Sequence, residues 1–214
     1  MLSISREDYL KEVFIMNEKS EKITNKILAQ RLSVSAASVS EMMKKLTQTG
    51  FVLKDAKKGY TLSSESFTEA QNLIRKHRLW EVFLVEKLGL SWADVHDDAE
   101  VLEHGTSNLL ADHLNIFLGH PKYCPHGSII YGNGGMKDLT AIKDLELNQV
   151  VTLRKVSDSS ELLSYLEDKG LNLGDEMTLI KVEPFEGNFH LETQNGLVLI
   201  SYKAACNLYV EESV

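Results

Sequence analysis

Imidazoles and carboxylates recur at helical spacing in the middle of this 214-residue sequence. His77 and Glu81 stand one turn apart in ESFTEAQNLIRKHRLWEVFLVEKLGL (65–90), and His96, Glu100, Glu103 and His104 follow in DVHDDAEVLEHG (94–105). On a helix, side chains three and four residues apart share a face. His96–Glu100, Glu100–Glu103 and Glu100–His104 would therefore line one strip, with His77 and Glu81 on the helix before it. Burying such groups without a counter-charge is costly, and a divalent cation removes that cost. One His–Glu pair is commonly a salt bridge or solvated surface. Two pairs on successive helices, with an added Glu–His doublet, point to metal binding. His113, His120, His126 and His190 lack comparable neighbours and read as structural or exposed. Cys124, in HPKYCPHG, has no Cys-x-x-Cys partner, so a structural zinc site has no support.

Those residues require two helices. The first, over 65–90, has an apolar face of Leu73, Ile74, Leu79, Trp80, Phe83 and Leu84, and the second spans 94–105. Upstream, residues 4–17 place Tyr9, Val13 and Met16 near one helix face. Thr24 can cap a helix NKILAQRL that buries Ile27, Leu28 and Leu32. A third helix carries Val39, Met42, Met43 and Leu46, and Gly50 supplies a positive φ at its end. FVLKDAKKGYTLS then reads as two short strands around a basic turn. Helix, turn, helix and basic hairpin together predict a winged helix-turn-helix. Small and hydroxylated residues open the third helix, so it can approach a major groove closely. Ser35, Ala37, Ser38 and Ser40 are candidates for base or phosphate contact. Lys44 on the same helix and Lys57 and Lys58 on the wing are candidates for phosphate contact. A three-helix bundle with capping serines and solvated lysines is the competing reading.

Charge separates along the chain. Residues 1–62 hold eleven Lys and Arg against seven Asp and Glu, in a chain that holds 23 and 31 overall and a net charge of −8. The basic stretch suits a polyanion and the acidic remainder suits cations. No apolar run approaches the roughly 18–20 residues of a membrane span, and the N-terminus has no apolar signal segment. Two cysteines, Cys124 and Cys206, cannot form a disulfide framework, which makes the cytoplasm the expected compartment. No P-loop, G-x-S-x-G or H-E-x-x-H occurs. Beyond GNGGMKDLTA (132–141), read as a linker, short strands with Gly turns and a helix SSELLSYLEDKG suggest a small β-barrel. The expected fold is mainly α with a small β domain. Its domains are a winged helix-turn-helix over 1–63, a helical metal-binding and dimerisation domain over 64–140, and a β domain over 141–214. Apolar residues Trp80, Phe83, Leu109, Leu110 and Leu114 offer a homodimer surface or a core.

The run H77-x3-E81-x14-H96-x3-E100-x2-E103-H104, followed by CPHG at 124–127, resembles the diphtheria toxin repressor family of metal-activated transcriptional repressors. The resemblance covers residues 1 to about 140, and the C-terminal strands are similar to the SH3-like domain of longer members. It implies no enzyme, but a repressor that binds a two-fold double-stranded DNA operator as a homodimer and controls metal-uptake genes. No membrane and no small-molecule substrate are implied. Iron-responsive members place sulfur ligands where this chain has Asp8 and Glu100, so carboxylates shift preference towards the harder Mn(II), with Fe(II), Zn(II) or Cd(II) as substitutes. The resemblance implies a primary site of Asp8, Glu100, Glu103 and His104, with Cys124 a further ligand. It implies a second site of His77, Glu81 and His96 with an oxygen from the C-terminal domain, Glu161 or else Asp158. Small manganese regulators carry a carboxylate where this chain has Lys11, which argues against their closely spaced two-ion arrangement. A helical di-metal enzyme or a cytoplasmic metal buffer are the rival readings, and neither uses the serine-rich third helix or the basic wing.

Overall fold

The computed structural model describes residues 4–134 and 138–212. Part of the expected linker, residues 135–137, lies outside them. The chain forms two compact units. One comprises the residues up to His77 together with Glu100–Asp112, and the other comprises Arg78–Ala99 with the residues from His113 onward.

The first unit opens with α1 (Ile4–Glu18), α2 (Asn25–Arg31) and α3 (Ala36–Gln48). Thr24 caps α2 by accepting the Ile27 amide at 3.2 Å, and Ser35 caps α3 by accepting that of Ser38 at 3.1 Å. Gly50, at φ +77°, ends α3 as its position in the sequence requires. Val39, Met43 and Leu46 recur at i, i+4 and i+7 and are buried with Leu10, Val13, Phe14, Met16 and Leu28. Met42 is only half-buried. An antiparallel hairpin follows, β1 (Val52–Asp55) with β2 (Gly59–Leu62), in which Asp55 pairs with Gly59. Asp55 Oδ1 accepts the amides of Lys57 and Lys58 at 2.8 and 2.7 Å and so shapes the wing turn.

Two long helices follow, α4 (Ser64–Leu88) and α5 (Val95–Gly105), and then α6 (Asn108–Phe117). In the second unit, strands β3 (Thr140–Ala141), β4 (Val150–Val156), β5 (Glu176–Val182), β6 (Phe189–Thr193), β7 (Gly196–Ile200) and β8 (Leu208–Glu212) form one antiparallel sheet in the order β3-β8-β4-β5-β6-β7. Register shifts between Leu153 and Lys155 and between Leu179 and Lys181 bend its longest strands. Leu153, Val156, Leu179, Leu191 and Val210 pack with Leu163 and Leu166 of helix α7 (Ser160–Lys169) to form its core. The run LVLISYKAACNLYVEE, read as strand, is interrupted by α8 (Tyr202–Ala205), because Ser201 accepts the Ala204 amide at 3.2 Å and starts a helical turn.

One glycine fixes the wing. The Ile23 amide donates to the Lys58 carbonyl at 2.8 Å, and Gly59, at φ +83°, lies so close that a Cβ would sit 2.1 Å from the Ile23 carbonyl oxygen. A Gly59→Ala substitution would add that clash to a left-handed backbone that alone costs about 1–3 kcal/mol. Denaturant unfolding should show a loss of at least that size, with Gly50→Ala, where a Cβ meets nothing within 4 Å, losing less.

Candidate metal centres

Helix α1 gives Glu7, Asp8 and Lys11 to one cluster, and α5 gives Glu100, Glu103 and His104. His104 Nδ1 lies 2.6 Å from Glu7 Oε2. A carboxylate only accepts, so a proton on Nδ1 is held by Glu7, and with Nδ1 as the protonated nitrogen Nε2 would be the donor atom for a cation. That Nε2 is 3.0 Å from Asp8 Oδ1, which is buried without a hydrogen bond. Two ligands at right angles on an ion with bonds of about 2.1 Å also lie roughly 3 Å apart. Asp8, Glu100 and His104 each offer a ligand atom within 4.8 Å of the others. Burial pushes the Asp8 carboxyl above its usual range, His104 pulls it back and Glu100 pushes it up again. An orphaned buried carboxylate oxygen beside an oriented imidazole fits a divalent cation.

Glu103 is fully buried. The Lys11 ammonium, itself buried, donates to both Glu103 oxygens at 2.8 Å and to Glu100 Oε2 at 2.6 Å, while His77 Nδ1 is 2.6 Å from Glu103 Oε2. Burial would depress the Lys11 pKa, but the charges of Glu103 and Glu100 outweigh it and raise it. Removing one partner of such a buried pair typically costs about 3–5 kcal/mol, because the other charge stays behind.

The second unit holds a different donor set. Glu81 of α4 and the Cys124–Gly127 turn bring Glu81, Cys124 and His126 together, all three buried. The Gly127 amide donates to the Cys124 carbonyl at 2.9 Å, and the Val156 amide donates to the His126 carbonyl at 2.9 Å. Gly127, at φ +81°, lies where a Cβ would be 2.0 Å from the Arg154 carbonyl oxygen, so the turn sits directly on β4. His126 Nε2 gives its proton to the Trp92 carbonyl at 2.8 Å, which turns Nδ1 towards Glu81 Oε1 at 3.1 Å, Asp158 Oδ1 at 3.6 Å and Cys124 Sγ at 3.9 Å. His96 Nδ1 is 3.1 Å from Asp158 Oδ2 and 4.0 Å from Glu81 Oε1. Burial opposes charging His126, yet its contacts with Cys124 and Glu81 and the charge of Asp158 push its pKa up to about 12. Burial, with Glu81 beside it, raises the Cys124 thiol. The donor set of thiol, imidazole and carboxylate fits a metal ion.

Several expectations change. Cys124, expected beside Asp8, instead joins Glu81 and His126, because the tight turn on β4 fixes it there. Of the two candidate oxygens of the C-terminal domain, it is Asp158, not Glu161, that lies beside His96 and His126. Asp158 lies in the loop before α7, whereas Glu161 is exposed in the first turn of the helix, outside the metal-ligand groupings found among the described residues. His126, read as structural or exposed, is buried inside the group; the Cys-x-His doublet of CPHG was the available signal. Glu7, not among the expected ligands, reaches the opposite ring nitrogen of His104 from Asp8. His77, expected with Glu81, also contacts Glu103. His113 is exposed, and His120 and His190 contact Asn115 and Glu183.

The candidate DNA-facing residues Ser35, Ala37, Ser38, Ser40, Lys44, Lys57 and Lys58 are all exposed. The Ser35 and Ser38 hydroxyls are 2.8 Å apart, and Ser40 Oγ accepts from Asn25 Nδ2 at 2.9 Å, so both serine groups are held in place at the start of α3. Leu109, Leu110, Ile116 and Phe117 of α6 are exposed apolar residues, whereas Leu114 belongs to the core and Trp80 and Phe83 are half-buried. No helix among the described residues is long and apolar enough to cross a membrane.

Comparison with known proteins matches the chain to three family models. Residues 1–60 match the N-terminal DNA-binding domain of iron-dependent repressors, residues 64–132 their metal-binding and dimerisation domain, and residues 140–212 the FeoA domain. The structure of the manganese regulator SloR is 40% identical and covers 97% of this chain and 98% of its own, with a TM-score of 0.85. That of ScaR with bound Cd2+ is 36% identical and covers 97% and 99%, with a TM-score of 0.87. The iron-dependent repressor IdeR of Mycobacterium leprae is 27% identical over 176 residues, 81% of this chain and 75% of its own length. The chain, a winged helix-turn-helix joined to metal-binding helices and an SH3-like FeoA domain, belongs to the iron-dependent, or diphtheria toxin, repressor family of metal-dependent transcriptional repressors rather than to any enzyme family.

Proposed function

We propose that this chain is a Mn(II)-activated repressor that binds a two-fold DNA operator as a homodimer in the cytoplasm and restrains genes of metal uptake. One observation carries the metal-gated part: Asp8 on α1, the first helix of the DNA-binding domain, and Glu100 and His104 on α5 converge on one cation position. Asp8, Glu100, Glu103 and His104 offer only oxygen and nitrogen, and moving Cys124 out of this group removes the soft ligand that would favour Zn(II) or Cd(II). The Glu81, Cys124, His126 and Asp158 group, with His96 beside it, is proposed as a second site whose thiol tolerates softer ions. Fe(II), Zn(II) and Cd(II) are expected to substitute in vitro, because intrinsic affinity for such ligands rises along the first-row series beyond Mn(II).

A bound divalent ion would supply the positive charge that Asp8, Glu100 and Glu103 together lack. The chain's own residues do the rest. Glu7 holds His104 in the tautomer that presents Nε2, and Lys11 keeps Glu103 in place. The ligands then tie α1 to α5, which restricts the orientation of α3 and its serines. The DNA affinity gained equals the metal's differential affinity for that orientation. Exposed Leu109, Leu110, Ile116 and Phe117 of α6 are the proposed homodimer surface, and half-sites would be separated by multiples of the DNA repeat.

Fluorescence anisotropy with chelator-stripped protein and promoter DNA of metal-transport genes tests this reading. Binding should appear on adding Mn(II) and weaken at least about tenfold, roughly 1.4 kcal/mol, in Asp8→Ala and Glu100→Ala. Equal binding with and without metal would overturn the gating. In the Mn(II)-loaded protein, Lys57→Ala with Lys58→Ala should lower the slope of log affinity against log salt by about 0.9 for each phosphate no longer neutralised, and leave Mn(II) binding unchanged. An unchanged slope would remove the wing from the interface.

A further inference from the structure

The wing, α2 and α3 of the first unit meet at the start of α2. Ile23 ties the wing to that point, donating its amide to the Lys58 carbonyl at 2.8 Å. Two residues on, the half-buried Asn25 opens α2 and reaches both other elements. Its Nδ2 donates to Ser40 Oγ of α3 at 2.9 Å, and the hydroxyl of half-buried Tyr60 on β2 lies 3.5 Å from its Oδ1. The first is a hydrogen bond of ordinary length and the second is long, so the tie to α3 is the stronger. One planar amide thus turns its nitrogen to α3 and its oxygen to the wing. A serine hydroxyl has one proton and two lone pairs. Asn25 occupies a lone pair of the exposed Ser40, whose own proton has no acceptor among the described residues. Ser35 and Ser38 differ, because their hydroxyls lie 2.8 Å apart and share one proton between them.

We propose that Asn25 is a positioning residue for DNA recognition, holding Ser40 Oγ so that its proton is left for an acceptor on the DNA and joining the wing to the same helix through Tyr60. This inference rests on the reading of Ser40 as a DNA-contacting residue. In the free protein water competes for the Asn25–Ser40 bond. Closing the surface against DNA removes that water, and a hydrogen bond strengthens as the local dielectric falls. A hydroxyl already held by its neighbour also loses less rotational freedom when DNA binds. The acceptor is a phosphate oxygen or an acceptor atom on a base edge, both of which a serine proton can meet.

The test is a double-mutant cycle read by fluorescence anisotropy, on the Mn(II)-loaded full chain with promoter DNA of metal-transport genes. Asn25→Ala and Ser40→Ala should each weaken binding roughly three- to tenfold, the worth of one hydrogen bond. The double variant should lose little more than either single variant, because the two residues act through one bond. Asn25→Asp has nearly the same shape but only accepts, so it captures the Ser40 proton and sets a negative charge beside the DNA. It should bind more weakly than Asn25→Ala, while Tyr60→Phe should lose less. Repeating the cycle on DNA with single base-pair changes distinguishes the acceptors: a loss equal on all sequences assigns a phosphate, and a loss confined to one base pair assigns a base edge. Mn(II) affinity should match wild type throughout. Wild-type DNA affinity in Asn25→Ala would overturn the inference. So would losses that multiply in the double variant, since Asn25 would then act independently of Ser40, or a parallel loss of Mn(II) binding, which marks a folding defect. Wild-type affinity in Ser40→Ala would instead overturn the underlying reading of Ser40.

Discussion

A fully buried carboxylate is costly to keep ionised without a cation, and in this protein that constraint falls on Glu103. Its charge is met by Lys11 from α1 and by the imidazole of His77 from α4, so the need to neutralise one side chain draws three helices together. The same clustering places Asp8, Glu100 and His104 around a point where a buried oxygen has no hydrogen bond. Local stability and metal responsiveness thus have one electrostatic origin. Lys11 meets Glu100 and Glu103, while the buried Asp8 Oδ1 is left without a hydrogen bond.

The Glu81 group meets the same requirement with other chemistry. There the His126 imidazole sits between Glu81 and Asp158, and the Trp92 carbonyl holds the ring so that Nδ1 faces the other donors. Glu7 and Trp92 have matching jobs in the two groups. Each accepts the proton of one ring nitrogen and thereby presents the other, the arrangement that commonly tunes metal-bound histidines. The difference lies in the soft ligand. Cys124 belongs to the Glu81 group and leaves the Asp8 group with hard donors, and this division underlies the proposal that Mn(II) acts at the link between α1 and α5.

Much of this was legible in the sequence because helices make spacing into geometry. The i, i+4, i+7 core of α3 and the Glu100–Glu103–His104 strip follow from a 3.6-residue period, and the Thr24 cap from the hydroxyl that precedes its helix. Residues outside regular elements were harder to read. The Cys124–Gly127 turn is fixed by the Val156 amide bonding the His126 carbonyl and by Gly127 lying against Arg154, neither of which has a periodic signature, so the sequence marks neither His126 nor the placement of Cys124 beside Glu81. Asp158 precedes α7, while Glu161 lies within its first turn; a three-residue uncertainty in aligning a loop is enough to exchange one for the other. Glu7 escaped notice because its partner His104 is 97 positions away. Lys11 was visible as a departure from the small manganese regulators, but only coordinates reveal that its ammonium lies between two carboxylates.

In the proposed mechanism a divalent ion acts by tying α1 to α5 through Asp8. Hydrogen–deuterium exchange of the chelator-stripped and Mn(II)-loaded full chain tests it most directly, since amide protection reports local opening. Mn(II) should slow exchange in α1 around Asp8 and in α5 around Glu100 together, and Asp8→Ala should abolish both effects while any protection around Cys124–Gly127 persists. Protection confined to the Cys124–Gly127 turn in the wild-type chain, or unchanged exchange in α1, would contradict it.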